Sequence, residues 1–409
     1  MWIARIYSSL FWLIGGIFLF LLVREFVSFE GALLSTAYYL IFPYAVIGSR
    51  SFQPDPLMVM LVLAFWWLFS RWMRFPLWIN VILAGLVGGL AIFIKFSAVF
   101  FVIGGALGLA LSRFPLSDLL RKSQIWIMAV LGALPAGIYL VYGIFIRGDL
   151  ASQFKGRFVP ALLFSPLNYL QWEVKASMAA GGLFIMLALL GLFVTQDKRL
   201  RSFLYGLWGA YIAYGLFFNY HIATHDYYHL PFVPIVAISL APLGEWFFAR
   251  LTDSTSERWI RIAVCVVLFY GLFSVLWDVR NQMKTVDYRS QARMWTEIGE
   301  QFDDEERVVA LTEDYGARLE YWGWRRFSNW PHTGDTGFAN IRSGVFTFDD
   351  LFNRYSSKMS YFLVTDFDEF NRQQQLKERL FNFYPVSSEG DGYLIFDLKN
   401  PTQQDANGS

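Results

Sequence analysis

The chain holds one cysteine, Cys265, and four histidines among 409 residues. A single cysteine excludes an intrachain disulfide and any zinc centre built on several thiolates. Charge is scarce too: 16% of residues carry one, and the formal net is +1. Charge this sparse and balanced offers no basic surface for a polyanion, so no nucleic-acid partner is expected. The first residues lack the basic n-region and small-residue cleavage site of an exported leader. No Gly-rich stretch sits between a strand and a helix, so a phosphate-cradling nucleotide loop is not read here. Internal repeats are not apparent, and the inverted pairs of a secondary transporter are missing.

What is present is apolar bulk, with 56% of residues hydrophobic. Ten stretches read as membrane spans: Ile6–Val23, Gly31–Gly48, Pro56–Ser70, Trp78–Ile94, Phe96–Leu111, Ile125–Ile146, Met178–Val194, Phe203–Phe218, Leu230–Phe248 and Ile260–Val279. Several are shorter than the roughly 20 residues an upright helix needs, so tilt or kinks are expected. The expected fold is therefore an α-helical polytopic membrane protein of about ten transmembrane helices. Residues 1–279 hold 19 of the 34 Lys and Arg, and twelve of those 19 fall in alternate loops. Positive loops stay cytoplasmic, which puts the N-terminus and everything after Val279 outside, in a cell inner or plasma membrane. The aromatic residues read mostly as belt and core. The pairs Gly85/Gly89 and Gly104/Gly108 read as close helix packing.

Beyond residue 279 the material changes. Residues 280–409 carry 21 Asp and Glu against 15 Lys and Arg, a net of −6, and no run long enough to span. Strands are expected at Arg307–Thr312, Tyr361–Thr365 and Tyr393–Leu398, with helices at Asp314–Gly323 and Asp368–Phe381. Residues 280–399 thus read as an extracytoplasmic α/β domain, and 400–409 as a disordered tail.

Four polar clusters lie on the expected outer side. In the first, Arg50 precedes Pro54-Asp55-Pro56. The prolines fix a turn, so Asp55 starts a helix, where a carboxylate suits the helix dipole. A capping Asp and a snorkelling Arg explain this as well as a phosphate-gripping guanidinium does. In the second, Lys95 interrupts a long apolar region, and a lysine there must reach water, a partner or an anion; a phosphate is the preferred reading. In the third, His221, His225 and His229 recur every four residues, with Asp226, Tyr227 and Tyr228 between them. On one helix face they would offer a metal two imidazoles, with His225 the best ligand, but Pro231 argues against a continuous helix. Hydrogen-bonding groups lining a polar cavity, with tyrosines to meet a sugar or lipid head group, are the main reading. The fourth is the segment Arg147–Ser177, where Arg147, Lys155, Arg157 and Lys175 alternate with Phe154, Phe158 and Trp172. Such a segment lies at the interface with cations toward phosphates, or simply covers the bundle.

In their order, Trp2-Ile-Ala-Arg5, Arg24-Glu25-Phe26, Arg50 with Pro54-Asp55, Lys95, and His225-Asp226-Tyr227-Tyr228-His229-Leu230-Pro231 resemble the polyprenyl-phosphate-sugar-dependent membrane glycosyltransferases. These are the C-type fold enzymes related to protein O-mannosyltransferases and lipid A aminoarabinose transferases. The resemblance implies inverting transfer of a hexose or pentose from a polyprenyl-phosphate carrier to an acceptor hydroxyl at the outer membrane face. It implies that Arg50, Asp55, Lys95, His225, Asp226, Tyr227, Tyr228 and His229 serve the substrate, with membrane lipids around them. A divalent cation is an option, with His225 as its ligand. The match begins in the family's second helix, so the catalytic Asp of the family's first outer loop is expected outside these 409 residues. Two other classes stay open: a transporter or flippase for a lipid-linked precursor, and a non-catalytic, degenerate transferase.

Overall fold

The computed structural model describes residues 2–148, 150, 157–250, 257–285, 289–337 and 347–402. Phe154, Lys155 and residues 403–409 of the expected tail lie outside the described residues. The chain divides into two compact units, Met1–Lys284 and Thr285–Ser409, each taken by itself below.

Each of the ten apolar stretches is largely helical in the first unit, and helix length alone does not fix the number of spans at ten. Among the described residues five helices are long and apolar enough to cross a membrane, and the number rises to seven if each of two bent pairs is one span. Trp78–Ile94 and Ala98–Leu111 are shorter apolar helices. The bends have local causes. Phe29–Ile41 meets Pro43–Ser49 at 58°. Pro43 has no N–H to continue the ladder, and Phe42 before it is extended, with ψ 134°. Pro166–Ala180 turns 90° into Gly182–Val194. The corner is Gly181 at φ +77°, a conformation that a side chain would strain. The Arg147–Ser177 segment, read as a loop, contains most of that Pro166–Ala180 helix.

Packing in the bundle uses small residues. A Cβ on Gly89 would lie 2.6 Å from the Leu131 carbonyl oxygen, and one on Gly108 would lie 2.8 Å from that of Ser202. The glycine pairs are thus places where backbones touch, as their spacing suggested. Large rings fill the rest: Trp12 stacks on Tyr39 at 4.2 Å, and buried Trp66 donates to the Phe101 carbonyl at 3.0 Å.

The second unit is a five-stranded mixed sheet with order β2-β1-β3-β5-β4. Its strands are β1 Val308–Leu311, β2 Ser328–Asn329, β3 Tyr361–Val364, β4 Val386–Gly390 and β5 Tyr393–Asp397. β2, β1 and β3 run parallel; β5 is antiparallel to β3 and β4. Alternation sends Val309, Leu311, Phe362 and Val364 to one apolar layer, and Val308, Ala310 and Leu363 to another. Both faces are covered, which is why β1 and β3 read as unbroken apolar runs. The expected helix Asp368–Phe381 is two pieces, Phe367–Arg372 and Gln374–Phe383, broken at Gln373. β2 and β4 were not expected. β2 is two residues long, and β4 (Val-Ser-Ser-Glu-Gly) has little apolar signal.

Candidate functional site

One cavity of the helical unit, about 480 Å³, gathers residues from four distant parts of the chain. Asp55 opens the helix Asp55–Arg74, after Pro54 and before Pro56. Lys95 ends the helix Trp78–Ile94 in an extended conformation, φ −149° and ψ 115°, which swings its side chain out of the helical path. Tyr227 and Tyr228 come from a 3₁₀ turn, Asp226–His229. Arg157 enters from the segment before Pro160–Phe164.

At the centre, Lys95 Nζ donates to Asp55 Oδ1 at 2.7 Å. The Asp55 side chain is 2% exposed and that of Lys95 19%, so the pair lies in a largely dry wall with the ammonium facing the space. Lys95 Nζ also stands 5.1 Å from the Tyr227 ring and 4.8 Å from the Tyr228 ring, within cation–π range of both. Arg157 donates a hydrogen bond to the Tyr228 side chain. Asn219, 1% exposed, clamps the backbone near Arg157: its Oδ1 accepts from Val159 N at 3.2 Å and its Nδ2 donates to Val159 O at 2.8 Å. Ser97 lines the same cavity with a buried hydroxyl that has no hydrogen-bond partner among the described residues. Two cations, one of them half neutralised by a carboxylate, thus meet two phenol rings at a concave surface. That set suits a singly or doubly charged anion attached to an organic group.

The structure brings together Asp55, Lys95, Tyr227 and Tyr228. It does not bring Arg50 with them: Arg50 is exposed at the end of the helix Pro43–Ser49 and does not line this cavity. The three histidines do not share a helix face. The helix Asn219–Thr224 ends at His225, whose φ −117° and ψ 119° are extended. His221 and His225 stack at 5.6 Å, and His225 Nδ1 lies 2.7 Å from the Thr224 hydroxyl. His229 turns inward instead, with no exposure. Its Nε2 lies 2.8 Å from the Ile222 carbonyl oxygen, so that nitrogen carries the proton and Nδ1 accepts from Tyr211 at 2.8 Å. Tyr211 in turn accepts from Trp172 Nε1 at 2.9 Å. Every polar atom of the His229 ring is satisfied, so it staples the Tyr227–Tyr228 turn to two helices. Asp226 holds the same turn, accepting from Tyr227 N at 2.7 Å and from the Tyr44 side chain.

The expectation of a metal on His225 finds no set of co-ligands: among the described residues no group of three His, Cys, Asp or Glu side chains converges. Sequence reasoning named Arg157 only as one cation of a greasy segment, and Asn219 only as the first residue of the histidine cluster, without a role. The one available signal was that segment's interleaving of cations with aromatics.

The long apolar helices mark an integral membrane protein, and its fold is that of the solved structures compared below. Residues 1–142 match the family model of dolichyl-phosphate-mannose-protein mannosyltransferases. No match is found among curated proteins. Among solved structures the chain is similar to ArnT from Cupriavidus metallidurans in the apo state, with TM-score 0.55 and 14% identity over 96% of this chain and 83% of that one. It is similar to the same protein bound to undecaprenyl phosphate, with TM-score 0.53, 15% identity and the same coverage of 96% and 83%. It is also similar to the oligosaccharyltransferase AglB from Archaeoglobus fulgidus, in complex with an inhibitory peptide and a dolichol-phosphate, with TM-score 0.54 and 10% identity over 96% of this chain and 63% of that one.

Proposed function

We propose that the chain moves a hexose or pentose from a polyprenyl-phosphate carrier to an acceptor hydroxyl, and that the cavity at Lys95 holds the carrier's phosphate. The observation that carries this reading is the convergence of Lys95, Arg157, Tyr227 and Tyr228 on one concave space. Displacement at an anomeric carbon leaves negative charge on the departing phosphate. Preplaced cations in a site of low polarity stabilise that charge with little reorganisation. Arg157 supplies a fork of donors and Lys95 a point charge. Asp55 aims Lys95 and is occupied in doing so, which makes it a poor general base. Tyr227 and Tyr228 present ring faces to the ammonium and hydroxyls to the sugar or phosphate. The reading is supported by the match of residues 1–142 to the mannosyltransferase family and by similarity to structures that hold polyprenyl phosphates.

The same reading puts the cavity and the C-terminal unit on the extracytoplasmic side of a cell inner or plasma membrane, supported by the alternating loop charges. A reporter active only in the cytoplasm, fused after Leu398, should then be silent.

The test is sugar transfer from a polyprenyl-phosphate sugar by the purified protein in detergent, paired with binding of the lipid phosphate. Arg157→Ala and Lys95→Ala should weaken binding far more than Arg113→Ala, which removes a cation at Met73, away from the cavity. Equal losses in all three would mean only general attraction to anionic lipid. Binding and transbilayer movement without transfer would favour a flippase.

A further inference from the structure

In the second unit, three buried polar atoms without hydrogen-bond partners among the described residues collect where the parallel strands end. β1 and β3 are neighbours, and the chain leaving β1 goes to β2 on the far side. The loops after β1 and β3 therefore diverge, and such a switch point at carboxyl ends is where open α/β sheets bind ligands. Thr312 follows β1 and Thr365 follows β3. They sit side by side, since Thr365 N donates to Leu311 O at 3.0 Å. His332 arrives just after β2. The hydroxyls of Thr312 and Thr365 and the Nδ1 of His332 are all buried with no hydrogen-bond partner among the described residues, and Thr312 is 1% exposed. Leaving such groups unpaired is unfavourable, because each gives up its water without gaining a bond.

The cover over this crevice is strained. The turn Glu313–Gly316 carries three successive left-handed residues, Asp314 at φ +52°, Tyr315 at +55° and Gly316 at +75°. Left-handed backbone is unfavourable for each of the two non-glycines. A Cβ on Gly316 would lie 3.4 Å from the Thr312 hydroxyl, so the turn lies directly over the unpaired group. Opening it would relieve strain and uncover partnerless donors and acceptors at once. On the adjoining side, Thr333 and Asp335 line a cavity of about 790 Å³.

We propose that these strand ends form a second ligand site, for a neutral polyhydroxylated ligand such as a sugar residue, reached when the turn Glu313–Gly316 lifts. The chemistry selects the class. His332 faces Asp366 at 3.5 Å and Asp335 at 3.8 Å, and Tyr315 donates to Asp335 at 3.1 Å. Two carboxylates beside the crevice disfavour an anion. Among the described residues no three-ligand set for a metal exists. Hydroxyls and an imidazole that donate and accept, with carboxylates that accept, match vicinal diols.

The test uses the whole chain in detergent and a panel of neutral methyl glycosides, followed by saturation-transfer NMR and titration. At least one glycoside should bind. Thr312→Val and, separately, Thr365→Val keep shape while removing one hydroxyl, and each should weaken binding about five- to tenfold. Saturating polyprenyl phosphate should leave this binding unchanged, which separates the site from the membrane cavity. No glycoside bound by the unaltered protein, or binding indifferent to both valines, would overturn the proposal. So would valine variants that raise thermal stability while binding is unaffected, because the unpaired atoms would then hold nothing but trapped water.

Discussion

Removing the two partners of the Lys95–Asp55 pair one at a time should have unequal costs. Lys95→Ala strands a carboxylate whose side chain is 2% exposed. Breaking a buried pair from one side typically destabilises by about 3–5 kcal/mol, because the survivor keeps its desolvation penalty. Asp55→Ala strands the ammonium instead, which is 19% exposed and lies within about 5 Å of two tyrosine rings. Residual water and cation–π attraction of about 0.5–2 kcal/mol make that loss smaller, on the order of 1–3 kcal/mol. The double variant Lys95→Met with Asp55→Asn removes both charges and should recover most of the stability lost in Lys95→Ala. It should not recover binding of a polyprenyl phosphate. The assay is the thermal unfolding midpoint in detergent beside a lipid-phosphate titration on the same samples. An Asp55→Ala loss equal to or larger than that of Lys95→Ala would refute the burial argument. Simple additivity in the double variant would refute the pairing itself.

Three further outcomes are expected. His229→Phe takes the acceptor from the buried Tyr211 hydroxyl proton and the donor from the Ile222 carbonyl, so it should lower stability by about 1–3 kcal/mol and weaken lipid-phosphate binding several-fold, although His229 does not line the cavity; unchanged binding would end its positioning role. Gly89→Ala forces a methyl to 2.6 Å from the Leu131 carbonyl and should cost about 1–3 kcal/mol, whereas Gly209→Ala, with nothing within 4 Å, should be neutral in the same melt. Burial raises the pKa of Glu369, but hydrogen bonds from Thr333 and Gln373 and the nearby charge of His332 outweigh it and hold the carboxyl below its ordinary 4.5. A depressed folded-state value gives stability that is complete above 4.5 and lost as pH falls through the lower folded value; Glu369→Gln should flatten the acid limb of the C-terminal unit's melting curve, and an identical limb would refute this.

The existence and type of most elements were legible in the chain because apolar periodicity and length are local properties. Trp78–Ile94 is a helix with the bounds its apolar run suggests, and β1, β3 and β5 each lie within the run expected for them. The backbone contacts at Gly85, Gly89, Gly104 and Gly108 were legible for the same reason, since small residues at helical spacing have few other uses. Lys95 and Asp55 could be singled out individually, one as an isolated charge in an apolar region and the other by its flanking prolines. Nothing local says that residues forty apart form one ion pair, or that Tyr227 and Tyr228 close over it. Tertiary structure alone decided that Arg157 joins the cavity and Arg50 does not, because that depends on how Asn219 clamps the backbone at Val159. It also decided the histidines. Their four-residue spacing implied one helix face, but extended backbone at His225 broke the helix and sent His229 into the core, where Tyr211 and Ile222 satisfy it more completely than a surface position could. Periodicity settles which stretches are apolar helices; which polar side chains meet is set by where those helices bend and cross, a global outcome of packing that no short window of sequence contains.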